Sequence, residues 1–428
     1  MKFLFVSYEG LIADIAWQVV KEGHAAKMWI QDPALQKIAD GFVPKSRDWR
    51  NELDWADAVV FDDVLGGMGT LADELRAKGK HVVGGSAYSD RLEEDRGFGQ
   101  QELKAAGVNI IPGGDFGSFD EAIAYVQANP HRYVLKPSGE AQNIKRLLFV
   151  GEEESGSDVI QVLKDYKQHL SATVKEFQLQ RRIIGVEVAI GAFFTGGQFV
   201  TPVCVNFEHK KLFPGDIGPS TGEMGTTMFW SGPNRLFNQT LKKMESRLAA
   251  AGYSGYIDIN CIVNSNGIYP LEFTSRFGYP GISIQQEGLL TPIGEVLQKL
   301  ADGTLTQVRA RSGFQIGVRV VVPPFPYQDQ QTFESTSKDS VVLFKTPSRE
   351  GIHIEDVKLV DGEWRVTGNS GVVLVVCGTG PTMKQAQRQA YNRVRNVMIP
   401  YMYYRDDIGE RWAEDSDRLH AWGYLREA

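Results

Sequence analysis

Two carboxylates, a hydroxyl and a guanidinium are spaced along one predicted β-hairpin. Residues 255–278 contain two apolar, strand-like runs joined by Asn-Ser-Asn-Gly, which is a hairpin turn signal. Asp258 lies on the first run. Glu272, Thr274 and Arg276 occupy every second position of the other run, so they share one face of a strand. This row could hold Mg²⁺ and a phosphate, because Mg²⁺ takes carboxylate and substrate oxygens. A buried structural ion pair between Arg276 and Glu272 is the alternative interpretation.

Two further cations precede this hairpin in the chain. Lys136 ends an apolar run before Pro-Ser-Gly, and Arg96 lies on a charged helix predicted over 90–107. A lysine at a strand end beside a glycine turn suits a phosphate, although either residue taken singly is more often a solvated surface charge. The chain has no GxxxxGK[ST] segment, and no GxGxxG follows an early strand. A P-loop and a dinucleotide fingerprint are therefore excluded.

A charged, glycine-rich stretch over 208–225 separates two strand-like runs. It brings His209, Lys210 and Asp216 close in sequence to Gly-Pro-Ser-Thr-Gly. Connections of this length without structure of their own are usually functional or disordered. Lysines and free backbone N–H groups suit an anionic substrate, whereas a lone histidine more often has a structural role. We therefore predict a functional loop here.

The order of the predicted elements indicates an α/β and α+β multidomain protein. Residues 1–92 alternate short apolar runs with helical patterns, which predicts βαβ units and a Rossmann-like parallel sheet. Residues 93–310 follow as a second domain, with a compact α+β part at about 117–190. Residues 311–428 are rich in strands and are predicted to form a small C-terminal domain.

The composition is that of an ordinary globular protein. The 428 residues allow two to four domains, and 42% hydrophobic with 23% charged residues excludes a disordered or fibrous chain. A net charge of −7 disfavours non-specific nucleic-acid binding. The three isolated cysteines predict a reducing compartment, the cytoplasm, without a disulfide framework. No signal peptide and no membrane span are expected, because no apolar run is long enough.

The order of the motifs resembles the ATP-grasp ligases and, within them, the glycinamide ribonucleotide synthetase (phosphoribosylamine-glycine ligase) family. EHKKLFPGDIGPSTGEMG is similar to the family's Asp-His-Lys-Arg, Gly-Asp and Gly-Pro-Asn-Thr-Gly-Gly-Met-Gly. LEFTSRFGYP is similar to Leu-Glu-Phe-Asn-Val-Arg-Phe-Gly-Asp-Pro, and MYYRDDIGER is similar to Tyr-Arg-x-Asp-Ile-Gly. RLEEDRGFGQQELKAAGV resembles the Leu-Glu-Gly-Ser-Lys helix. Ordered matches over nearly the whole chain make chance a poor explanation.

The resemblance implies an ATP-grasp domain with a mobile lid, and a set of site residues. The residues implied to bind ATP are Arg96, Lys136, Lys145, Gln180, Arg182, Ile183 and Glu187. The residues implied to hold Mg²⁺, with Mn²⁺ as the alternative ion, are Glu272, Thr274 and Asp258. The residues implied to line the substrate pocket are Asp216, Gly218, Pro219, Ser220, Thr221 and Gly222. The residues implied to act in catalysis are Arg276, Lys210 and His209.

The implied reaction joins a small amino acid, such as glycine, to an amine. ATP phosphorylates the carboxylate, the amine attacks the acyl phosphate, and an amide, ADP and phosphate result without a covalent enzyme intermediate. Such catalysis depends on positioning and on cations that stabilise the phosphoryl oxygens. The expected partners are these small molecules, and a monomer or homodimer is expected.

Several departures from the family pattern concern the acceptor and the nucleotide loop. SYEGLIADIAW stands where the family has Gly-Asn-Gly-Gly-Arg-Glu-His, and DDVLGGMG replaces Gly-Pro-Glu. SGEAQNIK has lost most glycines, Thr274 replaces an Asn, and Gln180 replaces a Glu. Tyr279 and Gly281 replace acidic residues. We therefore predict that ATP and carboxylate handling are kept, while the acceptor region is rewritten.

Three hypotheses stay open at this point. The first is a phosphoribosylamine-glycine ligase. The second is a diverged ligase that uses another amine, such as a modified sugar or nucleobase, because the N-terminal acceptor loop is altered. The third is a catalytically inactive nucleotide-binding protein, motivated by Thr274, Gln180 and the degraded glycine loop.

Overall fold

The N-terminal part of the chain is a parallel sheet covered by helices. The structure is a computed structural model that describes residues 1–138, 141, 144 and 147–425. The elements are β1 (Lys2–Ser7), α1 (Ala13–Lys21), β2 (Ala25–Ile30), β3 (Ala58–Phe61), α2 (Met68–Ala77), β4 (Val82–Val83), α3 (Ala87–Glu94) and α4 (Arg96–Ala105), with 3₁₀ turns at Trp49–Glu52 and Leu65–Gly67. The strand order is β2-β1-β3-β4, all parallel, as the Rossmann-like prediction requires. The loops after β1 and β3 therefore lie side by side at the carboxyl edge of the sheet.

The charged segment 90–107 forms two helices. Asp95 has an extended backbone between α3 and α4, and its carboxylate accepts a hydrogen bond from the Phe98 N–H at 2.9 Å, which caps α4. The prediction of one continuous helix is therefore wrong. The break places Arg96 in the first turn of α4, where it lines the central cavity described below.

A smaller antiparallel sheet forms the α+β part that the sequence predicts as a lid. Its elements are β5 (Gly113–Phe116), α5 (Phe119–Ala128), β6 (Tyr133–Pro137), β7 (Phe149–Val150), α6 (Ser157–His169) and β8 (Phe177–Arg181). The strand order is β5-β8-β6-β7. Tyr133, Leu135 and Pro137 are buried in alternation along β6, so Lys136 lies on the opposite face of the strand. The predicted ATP ligand Lys145 lies outside the described residues.

A nine-stranded antiparallel sheet forms the centre of the molecule. Its strands are β9 (Val186–Thr195), β10 (Gln198–Phe199), β11 (Val203–Glu208), β14 (Gly225–Ser231), β15 (Gly255–Asn264), β16 (Gly267–Thr274), β17 (Phe314–Val321), β19 (Ile352–Ile354) and β22 (Val372–Gly380). The order is β16-β15-β9-β11-β14-β17-β22-β19, with β10 paired to β9. The helices that follow in sequence are α7 (Arg235–Gln239), α8 (Glu245–Ala250), α9 (Gly281–Gly288) and α10 (Ile293–Ala301), with a 3₁₀ turn at Leu241–Met244. Apolar clusters on both faces explain why these strands are almost continuously buried.

The remaining elements form a hairpin and a C-terminal sheet. The stretch 208–225 contains the hairpin β12 (Lys211–Phe213) and β13 (Ile217–Ser220), so it is more regular than the loop that the sequence predicts. The C-terminal elements are α11 (Gln330–Thr336), β18 (Val341–Phe344), β20 (Val357–Val360), β21 (Glu363–Val366), α12 (Met383–Val394), β23 (Val397–Met398) and α13 (Trp412–Ala421). The order of the small sheet is β20-β21-β18-β23. Because β17, β19 and β22 join the central sheet, the domain boundary at residue 310 stays a prediction. No helix in the described ranges is long and apolar enough to cross a bilayer.

Candidate functional site

The predicted hairpin of acids is formed by β15 and β16. Asp258 lies opposite Thr274, and Asn260 lies opposite Glu272, so all four side chains belong to one face of the central sheet. The hairpin prediction is confirmed, although Asp258 and Glu272 are not directly opposite each other on the two strands. Burial raises the pKa of Asp258 well above its ordinary value, with a further contribution from the Glu208 carboxyl.

Two small residues of β9 lie opposite the polar residues of this face. Gly191 lies opposite Asp258, and a Cβ atom at Gly191 would lie 2.0 Å from the Tyr256 hydroxyl oxygen, so only glycine fits. Ala189 separates Asn260 on β15 from Asn206 on β11. Asp258, Asn260 and Asn206 line a cavity of about 380 Å³.

The cavity is lined by residues from several parts of the fold. Its walls come from the loops after β1 and β3, from α3 and α4, from the central sheet and from α9. The predicted site residues that line it are Arg96, Lys210, Gly222, Asp258, Glu272, Thr274 and Arg276. The structure therefore brings the predicted metal ligands together with three predicted cations. Buried polar residues of several elements that converge on one cavity are typical of a ligand site.

Lys210 is the central cation of the cavity. Its Nζ lies 2.9 Å from Glu187 Oε1, 3.2 Å from Glu208 Oε2 and 3.7 Å from Glu272 Oε1. Burial alone would lower the pKa of Lys210, but the three carboxylates raise it well above its ordinary value. The ammonium group is therefore charged at any physiological pH. The Lys210 carbonyl accepts hydrogen bonds from the Thr221 N–H at 2.8 Å and from the Thr221 hydroxyl at 2.9 Å, which fix the backbone at this position.

Lys136 and Arg96 approach the same acids from the lid and from α4. Arg96 Nη2 lies 3.5 Å from Glu272 Oε2. Burial lowers the pKa of Lys136 to about 8, opposed by the Glu272 carboxylate and assisted by the nearby Arg96 and Lys210 cations. Arg96 and Lys210 therefore contact the Glu272 carboxylate, and the charge of Lys136 also interacts with it, so a group with further negative charge could bind among these cations.

Arg276 connects the hairpin with α3 and with the loop after β3. Its Nε lies 3.1 Å from Glu93 Oε1 and 3.8 Å from Asp63 Oδ1. The Glu93 carboxylate also accepts the Ser275 N–H at 2.8 Å. The alternative interpretation from the sequence pairs Arg276 with Glu272, whereas the ion pairs that the structure gives Arg276 are with Glu93 and Asp63. Sequence reasoning missed these two acids, because they lie on separate elements that only the fold brings to Arg276.

Asp216 is held by two arginines and does not line the cavity. Its backbone φ is +56°, and its carboxylate accepts hydrogen bonds from Arg405 at 2.8 Å and from Arg411 at 2.6 Å. Arg405 also donates to both oxygens of Asp407, at 2.8 and 2.7 Å. The pKa of Asp216 is lowered, because these guanidinium contacts outweigh the effect of burial. Asp216 thus connects the β12–β13 hairpin to the C-terminal segment MYYRDDIGER.

His209 is buried behind the same hairpin. Burial and the nearby Arg411 and Arg405 guanidinium groups lower the pKa of His209 to about 4. Its backbone pairs with Gly225 and Met224, and its Nδ1 has no hydrogen-bond partner among the described residues. The imidazole is therefore neutral at physiological pH, and its catalytic role stays a prediction.

The other predicted residues lie at the edge of this arrangement. Glu187 accepts a hydrogen bond from Asn260 Nδ2 at 2.8 Å, in addition to its pair with Lys210. Gln180 is buried on β8, and Arg182 and Ile183 follow that strand directly. Arg182 donates to the Gly151 carbonyl at 3.1 Å. Gly218, Pro219 and Ser220 lie on the β13 strand. The predicted roles of all these residues in binding ATP or substrate stay predictions.

The N-terminal end of the cavity is rich in acids. The acidic residues that line it there are Glu9, Asp63, Glu93 and Glu94. Burial and the Asp63 carboxyl raise the pKa of both Glu9 and Glu94. Beneath them, burial and Asp63 raise the pKa of Asp62 to about 8, although Ser7 and Ile12 hydrogen-bond to it. No sequence motif indicates this wall, since its members come from two loops and one helix that are separate in the chain.

The oxygens of the hairpin suit a hard divalent cation. Glu272, Asp258 and Thr274 supply two carboxylates and a hydroxyl, and Mg²⁺ usually binds one or two carboxylates together with substrate oxygens. Within the described ranges, no group of three or more His, Cys, Asp or Glu side chains has the arrangement of a metal site. The protein oxygens alone are thus too few, and phosphate oxygens would have to complete the coordination.

Comparison with known proteins agrees with this site. Residues 94–282 match the model of the phosphoribosylglycinamide synthetase ATP-grasp (A) domain, and residues 326–411 match that of the phosphoribosylglycinamide synthetase C domain. The chain therefore belongs to the ATP-grasp ligases, enzymes that use ATP with Mg²⁺ to form C–N bonds with release of ADP. Within that class it is a member of the phosphoribosylglycinamide synthetase family.

Individual relatives cover nearly the whole chain. The phosphoribosylamine-glycine ligase of Corynebacterium ammoniagenes is 26% identical over 90% of this chain and 87% of its own length. That of Brucella melitensis is 25% identical over 97% of this chain and 99% of its own. Among solved structures, the Thermotoga maritima phosphoribosylamine-glycine ligase has a TM-score of 0.72 at 22% identity, covering 95% of this chain and 100% of that one. The Campylobacter jejuni biotin carboxylase has a TM-score of 0.65 at 15% identity, covering 98% and 96%. These two structures support the fold.

Proposed function

We propose that the protein activates glycine as an acyl phosphate and joins it to phosphoribosylamine. The observation that carries this proposal is the group of cations near the Glu272 carboxylate: Lys210 and Arg96 line the cavity with it, and the charge of Lys136 interacts with it. The curated relatives are named phosphoribosylamine-glycine ligases, and they supply the identity of the two substrates.

The chemistry needs charge stabilisation more than a nucleophile. The glycine carboxylate attacks the γ-phosphorus of ATP and ADP leaves; the amine then attacks the acyl carbon and phosphate leaves. Lys136 and Arg96 would bind the phosphate oxygens, and Arg276 would stabilise the transferred phosphoryl group. Glu272, Asp258 and Thr274 would hold Mg²⁺, which supplies charge neutralisation for the phosphates. Lys210, held by three carboxylates, would keep those acids in place.

A second candidate differs only in the acceptor amine. Glu9, Asp63, Glu93 and Glu94 line the N-terminal end of the cavity, and Arg276 pairs with Asp63 and Glu93. The relatives do not favour another acceptor, so phosphoribosylamine stays the proposed one. The inactive nucleotide-binding hypothesis gains no comparable support, because the cations around Glu272 are all present.

Mass spectrometry of the reaction mixture distinguishes the candidates. The full chain is incubated with Mg-ATP, glycine and phosphoribosylamine, which is generated in place from ribose 5-phosphate and ammonia. Glycinamide ribonucleotide formed with equimolar ADP supports the first candidate. Absence of this product, with glycine hydroxamate formed when hydroxylamine is the amine, supports the second. Absence of ADP release with every amine tested contradicts the proposal that the protein is a ligase of glycine.

A further inference from the structure

Four polar side chains that line the cavity keep an oxygen without a hydrogen-bond partner in the described part of the chain. These atoms are Asn206 Oδ1, Glu223 Oε1, Thr226 Oγ1 and Gln285 Oε1. The four residues are 5, 6, 1 and 2% exposed, respectively. Buried polar groups are normally hydrogen-bonded, because an unpaired one loses its hydration without compensation. A set of four in one cavity indicates a position for a ligand that donates hydrogen bonds.

The fold directs these side chains to one region. Asn206 and Glu208 alternate along β11 and share the face of the sheet, and Thr226 of the neighbouring β14 lies directly opposite Glu208. Gln285 lies on α9, which packs against β14. The region therefore lies on the central-sheet side of the cavity, and β9 separates it from the strands that carry the predicted metal ligands.

Two hydrogen bonds fix the backbone at Glu223 and at the next residue. The Glu223 carbonyl accepts a hydrogen bond from Arg319 Nη1 at 3.0 Å, and the Met224 N–H donates to the His209 carbonyl at 2.8 Å. Arg319 also binds both oxygens of Glu355, so its charge is already neutralised. In the family pattern Gly-Gly-Met-Gly, a glycine stands at the position of Glu223. This chain thus places a carboxyl group where the family pattern has no side chain.

The charge of this region selects the kind of group that can bind. Burial and the nearby Glu208 carboxyl raise the pKa of Glu223 well above its ordinary value, although the Arg319 and Lys210 cations act in the opposite direction. An ammonium group has three donors and no acceptor, so it matches unpaired oxygens beside acids. A carboxylate at the same place would be repelled by Glu223, Glu208 and Asp258.

We propose that Glu223, together with Asn206, Thr226 and Gln285, binds the ammonium group of the amino acid whose carboxylate is activated. The carboxylate of the same amino acid then points towards Lys210 and Arg276, which line the cavity with them. Glu223 is therefore a specificity-determining residue that separates amino acids from other small acids. This inference rests on the proposed function, since it concerns the carboxylate substrate of that reaction.

The test compares glycine with glycolate, which carries a hydroxyl in place of the ammonium group. Hydroxylamine traps the acyl phosphate as a hydroxamate, so the measurement does not depend on the natural acceptor. Wild type should prefer glycine in kcat/KM. In Glu223→Gln the ratio of kcat/KM for glycine to kcat/KM for glycolate should fall by about 10- to 100-fold, because a charge-assisted hydrogen bond to the ammonium group is lost. KM for glycine should rise, whereas KM for ATP should be unaltered.

Two controls keep the result interpretable. Glu363→Gln removes an exposed carboxylate on β21 and should leave the preference unchanged. Thermal melting of Glu223→Gln without ligand should not be lowered, because an unpaired buried acid is replaced by an amide of similar shape. The inference would be contradicted if Glu223→Gln lost activity equally with glycine and with glycolate. It would also be contradicted if Glu223→Gln changed the Mg²⁺ dependence and kept the preference for glycine. Neither result would contradict the ligase reaction itself. A wild type that activates neither acid would instead overturn the proposed function, and this inference with it.

Discussion

Among the predicted phosphate-binding cations, Lys136 has a pKa that lies close to physiological pH. Burial lowers its pKa to about 8, so a fraction of the empty protein is already deprotonated in mildly alkaline solution. A phosphate bound nearby would favour the protonated form. Binding of ATP at this position is consequently linked to proton uptake.

Replacement of Lys136 should therefore change both the strength and the pH dependence of ATP binding. At pH 7, Lys136→Ala should weaken ATP binding by about 10- to 100-fold. Above about pH 8, wild-type affinity should fall by up to about tenfold per pH unit relative to Lys136→Arg, whose guanidinium stays charged. Calorimetric titration from pH 6.5 to 9.5 measures both effects. If the three proteins gave parallel pH curves, Lys136 would not contact the nucleotide.

Glu272 and Glu93 form a pair of acids with separable roles. Glu272→Gln should abolish most turnover, by about 100-fold or more, while the free energy of unfolding changes by less than about 1 kcal/mol, because Glu272 is partly exposed. Glu93→Gln should lower the free energy of unfolding by about 3 kcal/mol, because the half-buried Arg276 loses its closest carboxylate. Urea unfolding and hydroxamate formation on the same samples test both. A stability loss larger in Glu272→Gln than in Glu93→Gln would contradict these assignments.

At the scale of elements, the β12–β13 hairpin is positioned by the C-terminal segment. Arg405 is completely buried, joins Asp216 to Asp407, and donates to the Lys211 carbonyl at 3.0 Å. The hairpin is short, with a register irregularity between Lys211 and Phe213, so its own backbone pairing provides little stability. The backbone position of the nearby Lys210 therefore depends on a salt bridge to a residue almost two hundred positions later in the chain.

Arg405 and Arg411 provide a matched comparison for this dependence. Arg405→Ala should lower the free energy of unfolding by about 3–5 kcal/mol, because Asp216 and Asp407 lose a buried partner. Arg411→Ala should cost about 1 kcal/mol or less, since Arg411 is more exposed and Asp216 keeps Arg405. Chemical denaturation measures both values. Equal effects of the two substitutions would show that Asp216 does not depend on the buried arginine.

At the scale of the whole molecule, a buried ionic cluster joins the N-terminal and C-terminal parts. His353 on β19 lies 2.7 Å from Asp14 on α1 and 3.2 Å from Glu287 on α9, measured from its two ring nitrogens. Asp14 also accepts hydrogen bonds from Ser283 and Gln286. Burial alone would lower the pKa of His353, but Asp14 raises it well above its ordinary value. The imidazolium therefore bridges three elements that are distant in sequence.

This cluster should make the stability depend on pH in a defined direction. The folded-state pKa of His353 is raised above the unfolded value of about 6.5, so its stabilisation is complete below about pH 6.5 and decreases as pH rises through the folded-state pKa. At pH 6, His353→Gln should lower the free energy of unfolding by about 3 kcal/mol. The difference between the two proteins should shrink towards pH 9, which urea unfolding at several pH values measures. A difference that grows with pH would contradict the protonated state of His353.

The hairpin of the site and the residue types on its face can be predicted from the amino-acid sequence. Alternation along 255–278 predicts the hairpin, and the spacing of Glu272, Thr274 and Arg276 predicts their common face, because the strand period of two is a local property. The ordered motifs likewise predict the family, since they survive at about a quarter identity. The break at Asp95 was missed, because a capping side chain outweighed the helical pattern around it.

Which charged side chains form ion pairs can be seen in the folded chain and cannot be predicted from local sequence. The pairing of Arg276 with Glu93 and Asp63, and of Asp216 with Arg405, joins residues far apart in sequence, and local patterns carry no information about such contacts. The sequence likewise does not predict that the Glu223 carboxyl is buried with an unpaired oxygen, because this burial follows from the packing of the central sheet and α9. Charge and burial together set the pKa of each group, and both depend on the neighbours that folding supplies.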